Sequence, residues 1–339
     1  MQFALPPRKT SHPPLYTRPS QSSALRRRQL KTVGIFGLVV ISVLFLLSRI
    51  FSSSGSSSST IVASGPKVVL VTVLDEQNSS DKYIQRIKQN REDYVKRHGY
   101  VNFFASTAEY VPILNNAPRS WASIPALRHA MTLYPRSTFF FSLSPHALIM
   151  DPTIPITSHI LEPKKLESLM IKDVPVVPPD SVIKTFSHLS GKDVDFIISQ
   201  DGENLSSGSF IIRRGEWAKY FLDAWFDPLY RRYNFAKAEV HALVRASHQT
   251  ILLLSILNSR AQDHIVQWHP TILAKLALVP QRMLNSYSPL APKPSSNGVY
   301  HDGDFIIRFK DCESGGARNC EKEMDPYFQE WAKKTGNNK

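Results

Sequence analysis

Residues that can bind ligands or metals follow several apolar segments of strand length. Asp75 ends the first segment, Ser144 and His146 come directly after another, and Asp201 follows a later one. Carboxylates and imidazoles bind cations, and carboxylates also accept hydrogen bonds from hydroxyl groups. If the ends of these segments meet in space, their side chains form a polar binding site. The alternative for Asp75 is a turn residue, and the alternative for Asp201 is a surface charge.

The segments that carry these residues alternate with helical patterns. Short runs rich in apolar residues predict strands at 67–75, 101–104, 138–143, 194–198, 209–213 and 304–309. A helix is predicted between an N-cap at Ser80 and a stop at Gly99, and further helices at 121–134, 216–231 and 236–257. The alternation predicts an α/β fold, with a mostly parallel sheet covered by helices on both faces. Ligands of such sheets bind beyond the carboxyl ends of the strands, which here are the loops after Leu74, after Leu143 and before Ser209.

The charge distribution argues against a nucleic-acid-binding surface. The chain has a formal charge of +13, but residues 1–74 hold nine Lys and Arg and no acidic residue. The remaining residues therefore carry 32 basic and 28 acidic side chains, which is close to balance. The basic excess belongs to the amino-terminal tail, and no nucleic-acid partner is expected.

The amino-terminal region predicts a membrane anchor. Residues 33–47 are uncharged and apolar, and basic residues lie before them. We expect a cytosolic basic tail at 1–31, a signal-anchor helix at 32–51, a flexible serine-rich stem at 52–66 and a lumenal domain at 67–339. This is a single-pass type II topology. A cleaved signal peptide is the alternative, but the 31-residue leader is long for that class.

Two further features fit a lumenal domain. Asn78 and Asn204 each begin an Asn-x-Ser triplet, which is a frequent pattern and a weak signal of glycosylation. Cys312 and Cys320 are the only cysteines, so one pairing is available in an oxidising compartment. Two free thiols are the alternative.

A set of motifs in the body resembles glycosyltransferase family 34. The matching segments are NREDY at 90–94, HGY at 98–100, PALRHAM at 125–131, ALIM at 147–150, GSFIIR at 208–213, WFDP at 225–228, VPQRMLNSY at 279–287 and GDF at 303–305. No one of them is specific, but they occur in the family's order. The resemblance implies a GT-A type, Rossmann-like domain that transfers a sugar from a nucleotide diphosphate with retention of configuration. It is greatest to subunits of the fungal Golgi α-1,6-mannosyltransferase complex, the mannan polymerase.

The polar positions of the family's site are altered in this sequence. The family has Asp-x-Asp after a strand to bind Mn²⁺, whereas this chain has Ser144, Pro145 and His146. A late histidine ligand is replaced by Arg308, and an acidic-Gln pair keeps only Glu239. Before a small-residue turn expected at Gly208, the family's Asn aligns with Ser206 or with the nearby Asn204. We therefore expect no metal in this chain, and Asp201, Asn204, Ser206 and Glu239 remain candidates for the acceptor side.

Three functions are compatible with this pattern. The first, which we favour, is an accessory subunit of a Golgi mannosyltransferase complex that uses GDP-mannose and an N-glycan acceptor and extends the mannan backbone. The second is an active, metal-independent retaining mannosyl- or galactosyltransferase, in which Asp75, His146 and Arg308 bind the nucleotide-sugar donor. The third is a lumenal glycan-binding module. Against a donor role, Arg308 is also explained as a surface or ion-pairing residue.

Overall fold

The computed structural model describes residues 65–176, 184–202, 205–232, 238–245, 270–292, 297–313 and 318–337. The predicted tail and anchor, and nearly all of the predicted stem, lie outside these ranges. Among the residues that the structure describes, no helix has both the length and the apolar character needed to cross a bilayer.

A six-stranded sheet forms the centre of residues 65–337. Its strands are β1 (Val68–Leu74), β2 (Val101–Ser106), β3 (Phe139–Leu143), β5 (Phe196–Gln200), β6 (Leu205–Arg213) and β7 (Leu276–Leu278), in the spatial order β2-β1-β3-β6-β5-β7. Strand β1 pairs in parallel with β2 and β3, and β5 pairs in parallel with β7. Strand β6 is antiparallel to both of its neighbours, which the sequence did not predict.

The alternation of side chains along β1 gives the sheet two apolar faces. Val69 and Val71 join one buried cluster, while Val68 and Leu70 join another on the opposite face. Helix α3 (Ser123–Leu133) covers the first face and helix α1 (Asp81–His98) contributes to the second. A strand buried on both faces reads as a continuous apolar run, as the sequence of β1 does. The predicted α/β fold with helices on both faces, the architecture expected of a GT-A type domain, is confirmed.

Local signals determine where the first helix begins and ends. The Ser80 side chain accepts a hydrogen bond from the Tyr83 amide at 3.1 Å, and Gly99 adopts a left-handed conformation with φ of 65°. A side chain at Gly99 would strain this conformation, so glycine is the favoured stop. The predicted N-cap and stop are both confirmed.

The remaining helices differ from the predictions at their ends. The helix predicted at 121–134 begins with a 3₁₀ turn at Arg119–Ala122 before α3. The helix predicted at 216–231 is divided, because Asp227 caps a new short helix and Pro228 cannot continue the old one. Most of the helix predicted at 236–257 lies outside the described residues. The other helices are α2 (Thr107–Leu114), α4 (Pro163–Leu169), α5 (Glu216–Trp225), α6 (Pro228–Arg231), α7 (Ala238–Arg245), α8 (Pro270–Leu273), α9 (Gln281–Leu284) and α10 (Cys320–Thr335).

A second sheet, of three strands, joins the late part of the chain to the strand that follows β3. It has the order β4 (Ala147–Ile149), β9 (Ile306–Arg308) and β8 (Ser286–Tyr287). The antiparallel register pairs Ala147 with Arg308. Arg308 therefore lies opposite Ala147, the residue that directly follows His146.

Candidate functional site

A cavity of about 820 Å³ opens beyond the carboxyl ends of β1 and β3, as the sheet topology predicts. Its lining includes, among the sequence-predicted candidates, Asp75, Asn78, Ser144, Pro145, His146, Glu239, Arg308, Cys312 and Cys320. Asp201 and Ser206 do not line it, and Asn204 lies outside the described residues. The fold thus brings the donor-side candidates together with Glu239.

The turn at 144–146 is fixed by its own backbone and by the neighbouring strand. The Ser144 amide donates to the Gly208 carbonyl at 2.7 Å, and the His146 amide donates to the Ser144 hydroxyl at 3.1 Å. The His146 Nδ1 atom lies 2.8 Å from the Tyr83 hydroxyl, and the two rings stack. Burial lowers the pKa of His146, although the nearby Glu313 carboxylate acts in the opposite direction. His146 therefore presents a neutral imidazole at neutral pH.

Two buried residues of α1 brace this turn from behind. Asn90 exchanges two hydrogen bonds with the backbone of Ile149, at 2.9 and 3.0 Å. The Arg91 guanidinium donates to the Ala147 carbonyl at 2.7 Å and to the Ser144 carbonyl at 3.2 Å. Burial lowers the pKa of Arg91 to about 9. Asn90 and Arg91 of the NREDY segment therefore fix the backbone of the turn and of the strand after it.

Arg308 projects its guanidinium toward the cavity across Gly208. Its Nη1 atom donates to the Ser206 hydroxyl at 2.9 Å, and the guanidinium lies 5.9 Å from the centre of the Tyr287 ring. A Cβ atom at Gly208 would lie 1.9 Å from the Arg308 Cζ atom. Gly208 lies inside β6, so the tight turn expected there is wrong, and the glycine instead leaves space for the arginine head.

Behind Arg308, buried polar groups form a connected network. The Ser206 hydroxyl lies 2.9 Å from the Tyr287 hydroxyl, which donates to the Asp201 carboxylate at 2.9 Å. Asp201 also forms an ion pair with Lys310 at 2.7 Å, and these side chains are 8% and 11% exposed, respectively. Asp201 and Ser206 were expected to face the acceptor. In the structure Ser206 instead accepts the hydrogen bond from Arg308, and Asp201 supports Ser206 through Tyr287.

Asp75 lies at the cavity edge, but its oxygens are engaged. One accepts a hydrogen bond from Arg119 at 3.0 Å and the other from the Asn78 amide at 2.7 Å. Asn78 is an exposed residue of the cavity lining. Glycosylation of Asn78 and Asn204 stays a prediction.

Glu239 is a buried carboxylate at another part of the lining. It accepts a hydrogen bond from the Ser120 hydroxyl at 2.6 Å, and its backbone carbonyl accepts one from the Trp225 indole at 2.8 Å. Packing of α5 against α7 therefore sets its position. A carboxylate there can accept hydrogen bonds from sugar hydroxyls.

A disulfide joins Cys312 and Cys320 at the cavity lining. Donor atoms of His146, Glu313 and the two cysteines lie within 4.8 Å of one another. Sulfurs bonded to each other do not act as thiolate ligands, so one imidazole and one carboxylate remain. Mn²⁺ and Mg²⁺ prefer several oxygen ligands. These residues do not fit the carboxylate pair that the resemblance implies for a Mn²⁺ site.

Several residues of the site were not predicted as site residues from the sequence. Glu313 and Arg119 line the cavity, while Tyr287 and Lys310 lie behind Arg308. Tyr287 ends the VPQRMLNSY segment, and this position in a matched motif was the available signal. Glu313 adjoins Cys312, but no motif distinguishes it.

Known proteins resemble this chain over most of its length. An uncharacterised α-1,2-galactosyltransferase of Schizosaccharomyces pombe is 29% identical over 269 residues, which are 78% of this chain and 74% of that protein. The probable α-1,6-mannosyltransferase MNN11 of Saccharomyces cerevisiae is 30% identical over 279 residues, which are 78% of this chain and 62% of that protein. The crystal structure of a glycosyltransferase involved in glycosylation of the major capsid of PBCV-1 superposes with a TM-score of 0.45 and 11% identity, covering 78% of this chain and all of that one.

The family match spans most of the described body. Residues 64–320 match the model of the galactosyl transferase GMA12/MNN10 family. The resemblance found in the sequence is therefore confirmed, and with it the assignment as a glycosyltransferase. The chain belongs to the galactosyl transferase GMA12/MNN10 family, which is glycosyltransferase family 34.

Proposed function

We propose that this chain is an accessory subunit of a Golgi-membrane mannosyltransferase complex that extends the α-1,6-linked mannose backbone of N-glycans. The donor in this proposal is GDP-mannose, and the acceptor is an N-glycan. A partner subunit with an intact Asp-x-Asp motif carries out the transfer. The predicted single-pass anchor holds the chain in the Golgi membrane.

The accessory role is inferred from one observation. At the end of β3, Ser144 and His146 stand where two carboxylates are expected, and both are engaged in fixing the turn. A diphosphate that leaves from a sugar develops negative charge, which transferases of this type offset with a bound cation. The turn residues supply no anionic oxygen for such a cation.

Similarity to named relatives supports the choice of a mannosyltransferase. The probable α-1,6-mannosyltransferases MNN11 and MNN10 of S. cerevisiae are 30% and 24% identical to this chain. Several relatives of S. pombe bear the name α-1,2-galactosyltransferase, so a galactosyl donor is the competing substrate class. The chain spans 62% of the length of MNN11.

An active transferase without a metal is the second candidate. Arg308 favours it, because a guanidinium at the cavity can itself offset charge on a diphosphate. A glycan-binding module without enzymatic partners is the third hypothesis from the sequence, and no contact in the described residues favours it.

The test measures transfer by the assembled complex. Cells that carry a tagged chain are solubilised, the complex is captured, and mannose transfer from GDP-mannose to an α-1,6-mannose acceptor is measured. The accessory role predicts partners that contain Asp-x-Asp, and near-normal transfer by complexes with Ser144→Ala, His146→Ala or Arg308→Gln. Loss of transfer by Arg308→Gln in a complex assembled at the normal level would identify this chain as the active, metal-free transferase.

A further inference from the structure

We propose that Arg308, together with the buried network behind it, forms a built-in cationic site that holds a diphosphate in the place of a metal ion. This inference rests on the second candidate function, an active transferase without a metal, and deepens it by naming the group that binds the diphosphate in the same cavity. It concerns binding by this chain alone. Its test is therefore separate from the transfer assay of the complex.

The charge of Arg308 has no carboxylate partner among the described residues. Within the described residues, its guanidinium makes one hydrogen bond, to the neutral Ser206 hydroxyl, and no carboxylate lies within ion-pair distance. A guanidinium has five N–H donors and stays charged, so most of its donors remain available to an anion. An arginine that served only as a surface ion pair would have a carboxylate partner here.

The Arg308 guanidinium is held in position by a network of hydrogen bonds. Ser206, Tyr287, Asp201 and Lys310 form a continuous chain of contacts at 2.7 to 2.9 Å, which includes the partly buried ion pair of Asp201 with Lys310. Lys310 neutralises Asp201, so that this carboxylate does not cancel the charge of Arg308. A site that binds through fixed groups loses less conformational entropy when the ligand arrives.

The site also has space for a ligand. Gly208 leaves room for the guanidinium to lie over the strand, and the cavity of about 820 Å³ falls within the range of about 300–1,000 Å³ of small-molecule sites. The register of β4 with β9 places Arg308 beside the residue that follows the turn. This is the edge of the sheet at which phosphate groups of ligands bind in α/β folds.

The other charges at the cavity determine how the test is designed. Arg119 is paired with Asp75, and Arg318 is paired with Glu323. Glu321 accepts a hydrogen bond from Ser80. Glu313, near His146, is the carboxylate that opposes an anion at the turn. In a metal-free site its removal strengthens anion binding, whereas in a metal site its removal weakens binding.

The experiment is a calorimetric titration of the purified full chain with GDP, once with EDTA and once with Mn²⁺. We expect GDP to bind in EDTA, with little change on addition of Mn²⁺, and guanosine to bind at least tenfold more weakly. Inorganic pyrophosphate is expected to compete with GDP. Absence of GDP binding, or binding that requires Mn²⁺, overturns the proposal.

Four variants connect the binding to the proposed residues. Arg308→Gln is expected to weaken GDP binding at least tenfold. Tyr287→Phe breaks the network without removing a charge and is expected to weaken GDP binding about threefold. Glu313→Gln is expected to bind GDP as tightly as the parent chain or more tightly. Arg282→Gln is the matched control, since Arg282 pairs with Asp304 outside the cavity lining, and it is expected to bind within twofold of the parent.

Thermal melting of each variant separates binding from folding. Unchanged affinity of a folded Arg308→Gln chain, or lost affinity of a folded Glu313→Gln chain, contradicts the proposal. If Arg308→Gln does not fold, Gly208→Ala tests the same guanidinium by displacing it.

Discussion

Replacement of Gly208 by alanine tests the geometry of the site with a single methyl group. The new Cβ atom would lie 1.9 Å from the Arg308 Cζ atom, 2.2 Å from Nε and 2.4 Å from Nη1. Ordinary contact begins at 3.4 Å, so the guanidinium has to withdraw by about 1.5 Å. Because the clashing atoms are the end of a flexible side chain, the arginine moves and the strand does not.

The energetic consequences are small for folding and larger for binding. Withdrawal breaks the 2.9 Å hydrogen bond to Ser206, which in this partly buried place contributes about 1 kcal/mol. Alanine in a strand interior is favoured over glycine by about 0.5–1 kcal/mol, which offsets most of that loss. We therefore expect the free energy of unfolding to change by less than about 1 kcal/mol. A displaced charge weakens diphosphate binding by about 1.4 kcal/mol or more, which is at least tenfold.

The assay combines a GDP titration in EDTA with chemical denaturation of the same preparations. Gly298→Ala is a matched control, since its Cβ atom would lie 2.3 Å from the Gln281 side chain and Gly298 does not line the cavity. We expect both variants to fold and Gly208→Ala alone to lose affinity for GDP. Unchanged GDP affinity in a folded Gly208→Ala chain would refute the assignment of Arg308 as the anion ligand.

Three further predictions concern stability and the disulfide. Trp225→Ala is expected to lower the free energy of unfolding by about 3–5 kcal/mol, because Trp225 is fully buried and its indole bonds to the backbone of Glu239; urea denaturation measures this, with exposed Tyr220→Ala as the control. The disulfide between Cys312 and Cys320 closes a loop of about nine residues and should contribute about 2–3 kcal/mol. Non-reducing peptide mass spectrometry should show the linked pair, and alkylation of both thiols in unreduced protein would contradict the pairing. Burial lowers the pKa of His146, so the unfolded chain binds this proton more readily and stability is lost as the pH falls from about 6.5 through the lower folded value. His146→Gln should therefore lose less stability than the parent chain between pH 7 and pH 5, as measured by urea denaturation at each pH.

Local sequence patterns were sufficient for most of the scaffold. The side chains of the apolar run in β1 can all be buried only if both faces of the strand are covered. Ser80 and Gly99 mark the ends of α1, Ser80 by its hydrogen bond and Gly99 by its backbone conformation. The ordered motifs also identified the family and the altered turn at 144–146. Each of these inferences depends on neighbours within a few residues or on the order of segments. Both are properties of the sequence itself.

The antiparallel placement of β6 depended on information that local patterns do not hold. Its run of apolar residues is compatible with either strand direction, because a strand buried on both faces has the same composition in both. Which neighbours it pairs with is decided by the packing of the whole sheet. The break between α5 and α6 was readable, since Asp227 and Pro228 are cap and N1 residues, but the apolar spacing across them predicted one helix.

The site itself was decided by tertiary structure. Sequence identified Arg308 and Asp201 as candidates, yet 107 positions separate them along the chain. Strand register places Arg308 beside Ala147, and the space at Gly208 admits its guanidinium. The ion pair with Lys310 makes Asp201, an acceptor candidate in the sequence, a partly buried support of the network. Electrostatic and hydrogen-bond energies fall off over a few ångströms, so the role of a charged residue depends on neighbours that only the fold brings together. The residue types were present in the sequence, but their partners were determined by the tertiary structure.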